Sequence, residues 1–318
     1  MSIWVVYHKN CIDGFAAAAA VYKYYRGKEE IEFIPLDYPD REEFLDKVTC
    51  SMNMLEGINL FVVDFSFEWA DTQFLTCIFD HVTVIDHHKT AYELNTSSSL
   101  KNVENLMLHI PTDNKKSGAL LTWEYLFGKE KEAPLVYRQI SDRDTWSWEV
   151  EGSKEIGYYL NSLGKRFGYF TASPGSAEAF LEEVEMLDEE SEQDEHYSLA
   201  ISIGNRIAYY TDFLAQDIIK ECSMQLKLPS GEIGWAVNAP KKFASDVCNK
   251  LVEKHDTFGA SWYLDSMGRE VWSFRSKKGS GIDVSKICKG FGGGGHENAA
   301  GVVGANLVQY LVKGEVND

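Results

Sequence analysis

The stretch His81-Val82-Thr83-Val84-Ile85-Asp86-His87-His88 decides how this chain is read. Val82, Val84 and Ile85 form an apolar run of buried-strand character, and three metal-ligand side chains leave it together at its end. Strand ends are where α/β enzymes place their chemistry. Two further apolar runs end in the same way. Ile3 to Tyr7 passes into His8-Lys9-Asn10-Cys11-Ile12-Asp13-Gly14, and Leu60 to Val63 stops at Asp64. Taken singly, a histidine or aspartate in such a place is more often a cap or turn residue. Three strand ends that all carry His or Asp point instead to one metal-binding surface.

Working outward, residues 2 to 90 alternate short apolar runs with amphipathic or Ala-rich segments. The pattern predicts strands at 2–7, 31–36, 59–64 and 82–86, separated by helices at 13–26, 41–49 and 67–78. That alternation reads as a parallel sheet covered by helices, an α/β domain. Further helices are expected at 115–128, 133–141 and 153–164. Between Ser176 and Glu195 an acidic helical stretch, including Glu182-Glu183-Val184-Glu185-Met186-Leu187-Asp188-Glu189-Glu190, reads as a solvated connecting helix. The expected division is a domain at 1–190, a helical linker region at 191–205 and a smaller α/β domain at 206–318. The second domain shows strand patterns at 224–228, 233–238, 259–264 and 270–275, with helices at 244–254, 283–289 and 305–312.

Composition narrows the function classes. A length of 318 residues with 44 % hydrophobic content supports two packed cores. No run approaches the roughly 20 apolar residues that span a bilayer, and Met1-Ser2-Ile3-Trp4 lacks the basic start of a signal peptide, so a soluble cytoplasmic protein with no membrane partner is expected. Cys11, Cys50, Cys77, Cys222, Cys248 and Cys288 are scattered without a CxxC pair, which suits a reducing compartment. The formal charge is −18, from 49 acids against 31 bases. A protein that grips a long polyanion needs basic surface, so long duplex nucleic acid is disfavoured and a short or small phosphorylated ligand is expected.

A last motif completes the set: Gly292-Gly293-Gly294-Gly295-His296-Glu297-Asn298-Ala299-Ala300-Gly301. In order and separation, the motifs from about residue 3 to about residue 303 resemble the DHH phosphoesterase family, and this glycine run resembles the signature of the DHH-associated C-terminal domain.

The resemblance implies a metal-dependent hydrolase. It would place His8 and Asp64 on one divalent ion, most simply Mn2+, and Asp13, Asp64, His87 and Asp142 on a second, with Asp64 bridging. Asp86 would orient a histidine from beneath, and His88 would face a substrate phosphate, so that Asp64, His87 and His88 form the catalytic group. Ser141-Asp142-Arg143-Asp144 offers two carboxylates. Asp142 is preferred because it directly follows the segment Tyr137 to Ile140, with Asp144 left to pair with Arg143. Family members commonly carry two carboxylates at D-x-D spacing in the first motif, where this chain has Cys11-Ile12-Asp13. A thiolate there favours a softer ion such as zinc, a neutral thiol leaves the first ion short of a ligand, and coordination and simple packing both stay open.

For the C-terminal domain the resemblance implies a phosphate site. Gly293, Gly294 and Gly295, followed by a helical turn, would cradle an anion with bare amides, His296 would add a side-chain donor, and Arg275, at the end of an apolar strand, would clamp a phosphate. A cleft between the domains would then measure substrate length, and Phe65, Phe67 or Trp146 could stack a base. The expected reaction is hydrolysis of phosphodiester bonds in short oligonucleotides or small linear or cyclic dinucleotides, releasing nucleoside monophosphates. A 3'-phosphoadenosine-phosphate phosphatase, a pyrophosphatase, a single-strand exonuclease and an inactive nucleotide-binding protein are the alternatives. Nothing in the sequence sets the oligomeric state.

Overall fold

The computed structural model describes residues 2–113, 115–168, 173–188 and 195–312. Contacts divide the chain into two compact units, Met1–Ile207 and Ala208–Asp318. Glu189, Glu190 and positions 191–194 of the expected linker lie outside the described residues. From Glu195 the chain is helical without a break to Cys222.

Unit 1 begins with β1 (Ser2–His8), α1 (Ile12–Tyr25), β2 (Glu30–Leu36), α2 (Arg41–Ser51), β3 (Ile58–Val63), α3 (Trp69–Thr76), β4 (His81–Ile85), α4 (Tyr92–Thr96) and β5 (Leu106–His109). These strands form one sheet in the order β2-β1-β3-β4-β5, and every pairing is parallel. Both faces are buried, as an all-parallel sheet requires. Ile3, Val5, Tyr7, Phe61 and Val63 pack into one core cluster, while Val6, Leu60, Val62, Val82 and Val84 pack into another. The alternation along β1 and β3 is the two-residue period of a strand. Helix α1 lies in the first cluster with Ala16, Ala17, Ala18, Ala19 and Ala20 all fully buried. Alanines suit that place because a helix in contact with several neighbours has no space for longer side chains, and overpacking costs ~1–3 kcal/mol.

The remaining helices of unit 1 are α5 (Gly118–Phe127), α6 (Leu135–Asp144), α7 (Ser153–Ser162), α8 (Gly164–Phe167) and α9 (Pro174–Asp188), followed by α10 (Glu195–Cys222), within which the division into units falls. Tyr137 on α6 donates its hydroxyl to the Ala16 carbonyl at 3.0 Å, tying α6 to α1.

Unit 2 contains β6 (Met224–Lys227), β7 (Ile233–Asn238), α11 (Ala244–His255), β8 (Gly259–Leu264), β9 (Glu270–Arg275), α12 (Val284–Lys289), β10 (Gly294–His296), β11 (Ala299–Val303) and β12 (Leu311–Val312). Its seven strands run in the order β10-β11-β9-β8-β7-β6-β12, with β7 and β8 parallel and the other pairs antiparallel. Two expectations are corrected here. Gly294 and Gly295, with the residues after them, form a hairpin, β10 to β11, instead of a cradle followed by a helical turn, because β11 pairs along the whole of its length with β9. The expected helix at 305–312 is a short 3-10 turn, Leu307–Tyr310, running into β12. Among the described residues no helix is long and apolar enough to cross a membrane.

Candidate metal centre

β1 is flanked by β2 on one side and β3 on the other, so successive crossovers leave it in opposite directions. Such a reversal opens a crevice at the carboxyl ends of the strands. His8 ends β1, Asp64 follows β3 and Asp86 follows β4.

Asp64 is the centre of the arrangement. Its backbone N–H still donates to Ile85 O at 2.9 Å, continuing the strand pairing, but its φ of +51° lies in the left-handed region. That conformation costs a non-glycine residue about 1–3 kcal/mol and is found where the surroundings enforce it. Here they do: a Cβ placed on Gly118 would stand 2.5 Å from Asp64 Cβ, so the start of α5 sits directly on the aspartate. Asp64 Oδ1 is 3.3 Å from His87 Nε2, and Asp64 Oδ2 is 3.7 Å from His8 Nδ1. Neither oxygen accepts a hydrogen bond from the described residues, although Asp64 is only 1 % exposed. A buried carboxylate left without donors is costly, so each oxygen, with an imidazole beside it, fits a cation.

His87 Nε2 also stands 3.4 Å from Asp144 Oδ2 and 4.0 Å from Asp13 Oδ2. Asp13, in the first turn of α1, is fully buried and anchored by the start of α5: it accepts from the Ser117 hydroxyl, from Gly118 N at 2.8 Å and from Ala119 N at 3.1 Å. A carboxylate has about four acceptor positions, so these bonds leave it capacity for a ligand. Among the described residues, three groups of side chains could each hold a metal ion: His8, Cys11 and Asp64; Asp13, His87 and Asp144; and Asp64, Asp86, His87 and His88.

Electrostatics follow from this crowding. Burial pushes the Asp13 carboxyl well up, and the charges of Asp64 and Asp144 push it the same way. Burial acts upward on Asp64 too, but the imidazoles of His8 and His87 outweigh it and hold that carboxyl below the usual range. Burial would lower His87, yet Asp64, Asp144 and Asp13 together raise it. Burial pushes the Cys11 thiol up, against the pull of His8.

No protein-family model matches the chain. A protein of Acanthamoeba polyphaga mimivirus, named only as uncharacterized protein R106, is 29 % identical over 337 residues, covering 99 % of this chain and 70 % of that one. Among solved structures, the DHH domain of PF0399, a member of the S1p family of ribosomal proteins, superposes with a TM-score of 0.62 at 17 % identity, over 95 % of this chain and 82 % of that one. RecJ from Thermus thermophilus, solved in complex with Mn2+, superposes with a TM-score of 0.50 at 14 % identity, over 97 % of this chain and 50 % of that one. The chain has the DHH-domain fold.

Within the DHH fold the structure brings His8, Cys11, Asp13, Asp64, Asp86, His87 and His88 to one place. Asp142 is a correction. It lies on α6 with its Oδ1 accepting from Glu149 N at 2.7 Å, and the carboxylate that reaches His87 is Asp144. Residues two apart on a helix are about 200° apart, so the two carboxylates leave α6 in different directions. Asp86 Oδ1 accepts from His87 N at 2.8 Å and His88 N at 3.1 Å, and His88 Nδ1 lies 2.7 Å from the same oxygen.

In unit 2, His296, Ala299 and Arg275 lie in register across three neighbouring strands. Directly opposed residues share a face of the sheet. Arg275 donates to Phe274 O at 2.9 Å and to the Ser245 hydroxyl at 3.1 Å. The amide cradle is corrected in part: Gly292 N donates to Lys289 O at 3.1 Å and Gly293 N to Cys288 O at 2.8 Å, so both amides cap α12. Gly293 is required for another reason, since a Cβ there would overlap Gly301 O. Gly295 holds a φ of +138°, and a Cβ on it would lie 2.6 Å from Ala299 O. Asn298 is structural, donating to the Ser276 hydroxyl at 2.9 Å. Phe65 and Phe67 are buried in the core, which removes them as stacking surfaces, whereas Trp146 is exposed.

The sequence reading ranked Asp144 second to Asp142 and missed Asp37, Ser117 and Gly118. Asp37 follows β2 and its Oδ1 stands 3.7 Å from His8 Nε2. The rule applied to the other strands, an acid at the end of an apolar run, would have found it. Ser117 carries the signature of a residue opening a helix. Its bond to Asp13 has no sequence signal.

Proposed function

We propose that the protein is a divalent-metal-dependent phosphoesterase that hydrolyses phosphodiester bonds in short oligonucleotides or small dinucleotides. The observation that carries this is Asp64, buried, without hydrogen-bond donors among the described residues and faced on either oxygen by a histidine. His8 and Asp64, with Cys11 adjoining, would hold one ion, and Asp13, Asp64, His87 and Asp144 the other. Mixed imidazole and carboxylate donors suit manganese among the transition metals, the ion present in the RecJ structure. Bound there, the ions would activate water and neutralise charge on the phosphoryl group.

The chain's own residues do the rest. Asp86 fixes the His88 ring through Nδ1, which leaves Nε2 as the ring nitrogen to meet a substrate phosphate. Arg275 and His296, on one face of the unit 2 sheet, are the phosphate-recognition pair. The net charge of −18 supports short substrates, because each added phosphate meets a protein that on average repels it.

The test is release of nucleoside monophosphates from a panel of linear and cyclic dinucleotides and a length series, with added Mn2+ and with excess chelator. Turnover of the short substrates that disappears on chelation is expected. Full turnover in chelator, or faster cleavage of strands of roughly twenty nucleotides than of dinucleotides, would overturn the reading.

A further inference from the structure

Asp144 is followed by Thr145-Trp146-Ser147-Trp148, and this loop places its two largest side chains in water: Trp146 is 50 % exposed and Trp148 40 %. Both backbones lie in the left-handed region, with φ of +58° and +57°. That is an outlier conformation for a bulky residue. Tryptophan is ordinarily drawn into a core, so a strained loop that presents two of them outward must be held by something else. Asp142 holds it. Its carbonyl accepts from Ser147 N at 2.9 Å and its carboxylate from Glu149 N at 2.7 Å, while Trp146 N donates to Arg143 O at 3.2 Å. The two rings meet edge to face, with centroids 4.7 Å apart and planes at 72°. Unlike a stacked pair, this arrangement leaves ring faces uncovered.

The loop is also next to the candidate centre. Two Cα steps place Trp146 Cα within about 8 Å of Asp144 Cα, and Asp144 Oδ2 is 3.4 Å from His87 Nε2. A phosphate and the base of the same nucleotide are separated by a span of that order. We propose that Trp146 and Trp148 form a stacking platform for a nucleobase of the substrate, with Asp142 as the positioning residue that fixes the loop. The proposal rests on the phosphoesterase reading and narrows its substrate class to esters that carry a purine or pyrimidine, as against base-free phosphates such as pyrophosphate. It also explains how so acidic a chain would hold a nucleotide, since stacking needs no basic surface.

The test compares a dinucleotide with the analogue lacking the base at one position. The wild-type protein is expected to favour the base-bearing substrate by about tenfold or more in kcat/KM, the size of one base–aromatic stack. Trp146→Ala with Trp148→Ala should bring that ratio close to one, and Asp142→Ala, which removes the acceptor of Glu149 N, should lower it while metal content stays constant. A variant that loses activity on both substrates and keeps the ratio would leave the loop a purely structural role and overturn the proposal. A second measurement needs no turnover. In chelator, AMP should quench tryptophan emission and ribose 5-phosphate should not, and the double alanine variant should lose the quench. If AMP quenches through these residues but no phosphoester is cleaved, the platform stands and the hydrolase reading fails. If cleavage proceeds equally with and without the base, the hydrolase reading stands and the platform fails.

Discussion

His88 Nδ1 lies 2.7 Å from Asp86 Oδ1, the same oxygen that accepts the backbone N–H of His87 and of His88. One buried carboxylate oxygen therefore sets the path of the chain after β4 and the orientation of the ring. Asp86→Asn replaces one oxygen by a donor and removes the charge. A fall of about 10- to 100-fold in kcat/KM is expected, as for other residues that orient a metal site from behind. Steady-state kinetics alongside circular dichroism checks it, and kinetics equal to wild type would remove Asp86 from that role.

The last turn of α6 separates two aspartates by function. Asp144→Asn removes the carboxylate 3.4 Å from His87 Nε2 and should lower bound metal, whereas Asp142→Asn, whose carboxylate is bonded to Glu149 N, should not. Elemental analysis of the two purified variants decides between them.

Glycines at two places predict opposite outcomes. Gly118→Ala forces a methyl group to within 2.5 Å of Asp64 Cβ and should cost about 1–3 kcal/mol of stability, read as a melting temperature several degrees lower together with weaker metal binding. Gly294→Ala meets nothing within 4 Å and should melt close to wild type.

Thiol chemistry reports on packing. Burial pushes the Cys248 thiol up to about 11 and the Cys288 thiol up to about 12, from an ordinary 9.0. At neutral pH a thiol reagent should label exposed Cys50, Cys77 and Cys222 in the native protein and reach Cys248 and Cys288 only after unfolding. Because the folded state keeps those two protons longer than the unfolded chain, their contribution is full below pH 9.0 and is lost as pH rises from there towards about 12. Denaturant midpoints measured across that window should fall.

Arg275 is fixed by Phe274 O and the Ser245 hydroxyl, which holds its guanidinium ready for an anion. Arg275→Ala should raise KM for a dinucleotide about tenfold and leave metal content unchanged, since a charge-assisted hydrogen bond contributes roughly 1.5–3 kcal/mol. An unaltered KM would assign the arginine to the sheet alone.

Most strands of unit 1 were legible because a parallel sheet buried on both faces writes itself as continuous apolar runs, such as Leu60 to Val63. β5 was not. Leu106–His109 is a four-residue edge strand, too short for a period to show. The hairpin of β10 and β11 was misread because a glycine run is compatible with many backbones, and the choice was made by pairing with β9, far away in sequence.

The amino-acid sequence by itself determined the α/β alternation, the ends of β1, β3 and β4 as the place where His8, Asp64, Asp86, His87 and His88 gather, and the acidity that disfavours long polyanions. Those properties are local or compositional: a residue's position in an apolar run, or a sum over the chain. Only the tertiary structure decided that Asp144 and not Asp142 reaches His87, that the start of α5 both anchors Asp13 and forces Asp64 into a left-handed backbone, and that two of the glycine amides cap α12. Each of those depends on which face of a helix meets which strand end, and that is set by packing among segments up to about a hundred residues apart, a relationship that no local pattern encodes.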